Sequence, residues 1–174
     1  MSKTIKNSHM LVLIPRDPNN NNIDVKKHNK SLELLRDKVV KSIEYGGEYI
    51  IYDADDCNSA IIEMMDITAE AERKILPEVF GMLPEEVVFG KNVVPTYNDI
   101  VKIIKEYGCK TVEILGFDLE GQIVPISIYV KSMLPEAEVY VNTSYCDNNM
   151  DRITDLILDE LESIKIKIME DKSI

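Results

Sequence analysis

Met10-Leu-Val-Leu-Ile14 is an unbroken apolar run closed by Pro15, the pattern of a strand buried on both faces. The Asn19–Asn22 run beside Pro18 reads as loop. From Ser31 to Tyr45 the apolar residues fall at 32, 34, 35, 39, 40 and 43, which predicts a helix stopped by Gly46-Gly47. Tyr49-Ile-Ile-Tyr52 is a second buried strand that ends in the acidic loop Asp53-Ala-Asp-Asp56. Asn58 to Met82 is helical but irregular and divided by Pro77, and Val87-Val-Phe89 is a short strand. Asn98 or Asp99 can cap a helix that runs to Tyr107, with Gly108 behind it. Thr111–Leu115 is the next strand, and Gly116 opens the turn after it. Ile123–Leu134 follows as a helix that tolerates Pro125 in its first turn. Strand Glu138–Asn142, helix Met150–Leu161 and the alternating strand Ile164–Ile168 complete the series.

Strand and helix thus alternate about six times over short connections, which requires a parallel sheet with helices on both faces and right-handed crossovers. The expected fold class is α/β, a three-layer αβα sandwich around a mostly parallel sheet of about six strands. Residues 1–9 read as a polar extension and 10–174 as one domain, a length that can bury a sizeable core. In such sheets ligands occupy the crevice beyond the carboxyl ends of the strands. That directs attention to the loops 15–22, 53–57 and 116–122.

Composition narrows the function classes. With 31 acidic and 20 basic side chains the net charge is −11, a field that repels nucleic acid and anionic membranes alike. The 45% hydrophobic fraction is ordinary for a globular domain, and no run approaches a membrane span. Cys57, Cys109 and Cys146 are odd in number and without CxxC spacing, which points away from a disulfide framework or zinc knuckle and toward a reducing cytoplasm. His9 and His28 are isolated and read as surface residues, giving no zinc cluster.

Three segments carry a family resemblance. Gly116-Phe-Asp-Leu-Glu-Gly-Gln-Ile-Val124, Lys131-Ser-Met-Leu-Pro-Glu136 and Val139-Tyr-Val-Asn-Thr-Ser-Tyr-Cys146 together resemble the C-terminal half of the isochorismatase-like cysteine hydrolases, which include nicotinamidases. Glu44–Tyr52 and Leu11–Ile14 are similar to the approaches to that family's second and first strands. The resemblance implies the family fold, an Asp-Lys-Cys triad, and assembly as a dimer or tetramer. Laid on the family's Gly-Val-x-Thr-x-x-Cys-Val turn, however, Gln122 falls on the nucleophile and Leu119 on the threonine. Pro15 falls on the catalytic aspartate, and Ala54-Asp-Asp56 on an Asp-x-His that would help bind metal; only Lys91 is similar to the triad.

The substitutions remove the mechanism. The family chemistry needs a thiolate of lowered pKa at a helix N-terminus and a base to take its proton, and neither an amide nor a proline can serve. The expectation is a degenerate family member that binds a small molecule or acts as an assembly part, without cofactor. The alternative is an amide or ester hydrolase of altered, metal-assisted chemistry. Lys91, Gln122, Asp17 and Asp118 are the candidate ligand contacts; Lys91 also reads as an exposed lysine, Gln122 as drift at a dead site, and Asp17 as a solvated aspartate beside Pro18. Asp53, Asp55 and Asp56 are weak metal candidates that also read as a solvated acidic loop. Cys146 and Cys109 read as structural, Cys57 as a loop thiol without a visible partner, and the tyrosines as packing.

Overall fold

The computed structural model describes residues 9–14, 25–52, 93–146 and 152–171. Strand β1 (His9–Ile14) precedes helix α1 (Val25–Glu44) and strand β2 (Glu48–Tyr52). Strand β3 (Val93–Val94) leads to α2 (Tyr97–Tyr107) and β4 (Thr111–Gly116). A π-helical turn (Leu119–Ile123) runs straight into α3 (Val124–Met133), followed by β5 (Glu138–Asn142) and a 3₁₀ turn (Thr143–Tyr145). Helix α4 (Arg152–Ser163) and strand β6 (Ile166–Met169) close the fold.

Among the described residues the strands form one sheet in the order β3-β2-β1-β4-β5-β6, every neighbouring pair parallel. The chain reverses its direction of travel across the sheet at the β1/β4 boundary, so right-handed crossovers place helices on opposite faces. Alternation along the strands matches. Leu11, Leu13, Tyr49, Ile51 and Leu115 pack against Leu35 and Val39 of α1. Met10, Val12, Ile14, Val112, Ile114, Val139 and Val141 face the other way, onto Ile100 and Ile104 of α2, Ile126 and Val130 of α3, and Leu158 and Leu161 of α4. The three-layer α/β class expected from the pattern is what the chain adopts.

Several boundaries differ for identifiable reasons. Helix α1 begins at Val25 rather than Ser31; its extra turns are polar (Lys26, Lys27, Asn29, Lys30) and carry no apolar stripe to mark them. Helix α2 is capped by Thr96, whose hydroxyl oxygen accepts from the Asp99 N–H at 3.2 Å and donates to the Asp99 carboxylate at 2.6 Å. Asp99 therefore sits at the third helical position, completing the cap instead of being it. Strand β6 starts at Ile166 because Lys165 takes a left-handed turn (φ 66°) after α4. The short edge strand is Val93–Val94, ended by Pro95, while the expected strand 87–89 and the irregular helix 58–82 lie outside the described residues.

The β1/β4 boundary is also the tightest backbone contact. Gly116 pairs with Ile14 at φ 129°, and a Cβ there would fall 2.1 Å from the Ile14 carbonyl oxygen. Only glycine fits, since both the dihedral and the space exclude a side chain. Gly116→Ala should therefore cost about 3 kcal/mol or more in urea unfolding. Gly108→Ala, at φ 66° with nothing within 4 Å of the new Cβ, should cost only about 1 kcal/mol. Equal costs at the two sites would refute the steric argument.

Candidate functional site

The carboxyl ends of β1 and β4 meet at the reversal point, where open α/β sheets usually bind ligands, and the segment after Gly116 leads away from it. Phe117 donates to the Ile14 carbonyl at 3.0 Å, carrying the β1–β4 pairing one residue further. Asp118 then turns left-handed (φ 60°), and its carboxylate accepts from the Gly121 N–H at 2.9 Å. A Cβ on Gly121 would lie 2.3 Å from that carboxylate, so the glycine is what lets Asp118 fold over the turn. The Asp118 carbonyl accepts from both Gln122 and Ile123, at 3.0 and 3.1 Å, which winds the turn as a π-helix. Thr154 of α4, buried, donates to Glu120 at 3.1 Å and ties the turn to the layer beneath.

Gln122 consequently does not stand at a bare helix N-terminus, as its sequence position suggested. It lies inside the π-turn, with its backbone N–H already bonded. A helix ordinarily presents unbonded N–H groups at its start, where they polarise a nucleophile or hold an anion. Here the N–H groups of residues 121, 122 and 123 all bond Asp118. Asp118, grouped by sequence with the ligand contacts, acts as the cap of this turn. Pro15, Asp17, Asp53, Asp55, Asp56, Cys57 and Lys91 lie outside the described residues.

The two described thiols are placed differently. Cys109 sits between Gly108 and the start of β4, at the amino end of the sheet. Cys146 comes close to the reversal point: its thiol meets the backbone of Gly116 and donates to the Asn142 carbonyl at 3.2 Å. Burial pushes this thiol up to about 12, against a smaller opposing effect of the Gly116 backbone bond. Cys146 is thus held as a thiol against the Gly116 backbone, and among the described residues no basic group contributes to its shift or activates it. At the same end of the sheet Tyr52, Tyr97 and Tyr129 form a row with ring centroids 5.4 and 5.6 Å apart. The Tyr129 hydroxyl donates to Asn98, and burial raises the Tyr97 phenol above its ordinary pKa.

A second group of polar side chains was not anticipated from the sequence. Glu113, only 2% exposed, points from the central strand β4 toward α1. Its Oε1 accepts from Lys38 Nζ at 2.9 Å and Asn142 Nδ2 at 2.7 Å, and its Oε2 lies 3.1 Å from His9 Nε2. Asp171, two residues past β6, takes Lys38 at 3.2 Å, Asn142 at 3.0 Å and the Tyr145 hydroxyl at 2.6 Å. His9 is therefore no isolated surface residue; it opens β1 and is engaged with a buried carboxylate. Burial works to raise the Glu113 pKa, but bonds from His9, Asn142 and Lys38 outweigh it and hold the group below its ordinary range. Burial opposes the charge of Asp171 and Lys38 as well, yet their partners keep the carboxylate below and the ammonium above ordinary values. One signal was available: a glutamate inside an otherwise apolar central strand must find partners. Lys38, Asn142 and Asp171 carried no comparable mark.

With this geometry in hand, comparison with known proteins places the architecture. The chain is similar to a solved pyrazinamidase of Pyrococcus horikoshii in complex with zinc, with TM-score 0.57 and 19% identity over 92% of this chain and 99% of that one. The expected isochorismatase-like αβα fold is thereby borne out; at this identity the likeness speaks for fold alone. No protein-family profile matches the chain, and no curated protein sequence does. The zinc belongs to the pyrazinamidase. Among the described residues here no three His, Cys, Asp or Glu side chains are grouped to hold a metal, and within the Glu113–Asp171 pair the cation is the Lys38 ammonium.

Lys38→Met should destabilise the protein by about 3–5 kcal/mol at pH 7, because two carboxylates lose their shared cation. The lowered pKa values of Glu113 and Asp171 contribute stability that is present above their ordinary 4.5 and 3.8 and lost as pH falls below them. The raised Lys38 value contributes stability that is present below 10.5 and lost only as pH rises through its folded-state value. Urea midpoints of the wild type should fall on the acid side of pH 5, and those of Lys38→Met should fall less. Parallel acid limbs would contradict the coupling.

Proposed function

We propose that this chain is a small-molecule-binding module built on an isochorismatase-like scaffold, without cysteine-hydrolase chemistry. The observation that carries the reading is the state of position 122. Its side chain is an amide, and its backbone N–H is already bound to the Asp118 carbonyl. Cysteine chemistry asks two things of such a turn: a thiolate, and unspent N–H donors for the negative charge that develops during acyl transfer. Position 122 offers no sulfur, and the donors of residues 121–123 are used inside the turn. The nearby Cys146 is held as a thiol by burial. Losing a nucleophile outright forfeits on the order of 10⁶ in rate in a comparable hydrolase, leaving binding as what the scaffold retains.

The tyrosine row supports a small, flat ligand at the carboxyl end of the sheet, since partly buried rings offer apolar surface with polar edges. We place the protein in a reducing cytoplasm, a reading supported by the Cys146 thiol, which donates to the Asn142 carbonyl, and by the odd number of cysteines. Among the described residues no helix is long and apolar enough to cross a membrane. Assembly into a homo-oligomer belongs to the same reading, and the exposed Ile153 and Leu156 of α4 supply an apolar stripe for it.

The test is a paired assay on the purified chain. Nicotinamide should bind saturably, read by calorimetry, and should release ammonia at no more than the buffer rate. Iodoacetamide should leave Cys146 unmodified in the folded protein at pH 7, read by peptide mass spectrometry. Turnover that iodoacetamide or a Lys91→Ala substitution abolishes would overturn the proposal. Turnover abolished by chelation would replace it with metal-assisted hydrolysis.

A further inference from the structure

We infer that helix α4 is one half of an antiparallel, two-fold pairing with a second copy of this chain, the two helices meeting along Ile153, Leu156 and Ile157. The inference rests on the homo-oligomer reading above and names the geometry of its interface. Ile153 and Leu156 are 62% and 58% exposed, whereas Leu158 and Leu161 of the same helix are buried in the core. Apolar side chains scattered singly over a surface are ordinary, but two on adjacent turns of one helix, with a third beside them, form a patch.

Helical spacing arranges the patch. Leu156, Ile153 and the half-buried Ile157 fall within about 100° of arc on one shoulder of α4. Arg152 and Asp159 lie on the other side of Leu156, one before it and one after, about 10 Å apart along the axis. Both are exposed, and neither joins an ion pair among the described residues. A two-fold axis beside Leu156 runs the second helix in reverse and sets Leu156 against its own copy. The same rotation lays Ile153 beside Ile157 of the second copy and brings Arg152 across from Asp159 of that copy. Symmetry makes each contact twice.

Charge order selects this occupant. The exposed face of α4 carries its one cation, Arg152, at the start and the acids Asp159 and Glu160 toward the end. A reversed copy answers both ends at once. A parallel copy would set Arg152 against itself and acid against acid, and a uniformly basic or uniformly acidic partner would be repelled at one end. A single pair of helices this short stays below the roughly 1,000 Å² of a firm interface, and each copy carries a net charge of −11. The dimer is therefore a weak one, filling over tens to hundreds of micromolar.

The experiment follows the molar mass of the full chain by sedimentation over that concentration range, in physiological salt that screens the net charge. The wild type should pass from monomer to dimer, and Leu156→Glu should stay monomeric. Arg152→Glu and Asp159→Arg each turn two attractions into two repulsions, so either variant alone should associate at least tenfold more weakly. Mixed in equal amounts the two should recover the wild-type association, because every substituted position then faces the opposite charge. All three positions are exposed, so circular dichroism should match the wild type. A dimer that survives Leu156→Glu, charge variants that associate as the wild type does, or a mixture no tighter than its parts would overturn this pairing and leave the homo-oligomer reading standing. A wild type that stays monomeric at hundreds of micromolar would overturn both.

Discussion

A carboxylate fixed in the middle of a parallel sheet must be answered on every lone pair, and the answer to Glu113 recruits much of the molecule. Its partners come from the start of β1, the middle of α1 and the end of β5, and the same cation and amide extend the group to Asp171 beyond β6. Each of those elements has apolar reasons to pack where it does, but apolar contacts tolerate sliding, whereas a 2.7–3.2 Å network tolerates little. On this face α1 is the sole helix among the described residues, and its apolar stripe reaches only as far as β4. Past β4 the same face turns polar, with Lys167 pairing Glu138 and lying over the Tyr140 ring. The Lys38 ion group marks the seam between the two zones and gives α1 a fixed rotation on the sheet.

The two ends of the sheet have been spent differently. At the carboxyl end, where open α/β folds usually hold their ligands, the π-turn consumes its own donors and the Cys146 thiol bonds the Gly116 backbone. Toward the amino end, among the described residues, the Ser42 hydroxyl is buried without a hydrogen-bond partner. Function in a scaffold follows such local bookkeeping of donors and charges more closely than it follows the outline of the fold.

Much of the architecture was legible because it rests on patterns of regular period. The continuous apolar runs at 10–14 and 49–52 marked buried strands, Thr111–Leu115 read as another despite Glu113, and alternation with helices then dictated the parallel sheet. Edges were less legible: the polar first turns of α1 carry no stripe, and a two-residue strand such as Val93–Val94 is below the length at which a period exists. The turn around Gln122 was legible through its resemblance to a family motif, and it forms as a π-helical turn. The ion group was not, because it joins residues 9, 38, 113, 142, 145 and 171 through contacts that only the folded chain creates. Asp118 shows the intermediate case: the sequence singled it out, but its left-handed cap of the π-turn leaves no simple trace in composition.

The reach of Asp171 has a consequence for how the molecule comes into being. Its bond to Lys38 spans 133 positions, so the group that fixes α1 on the sheet closes only once β6 and Asp171 are in place. Until then Glu113 has its own three partners, while Lys38 and Asn142 lack the second carboxylate they bridge to. Long-range closure of this kind slows the final step of folding. It also makes the end of β6 the clasp whose release would loosen the whole α1 side first.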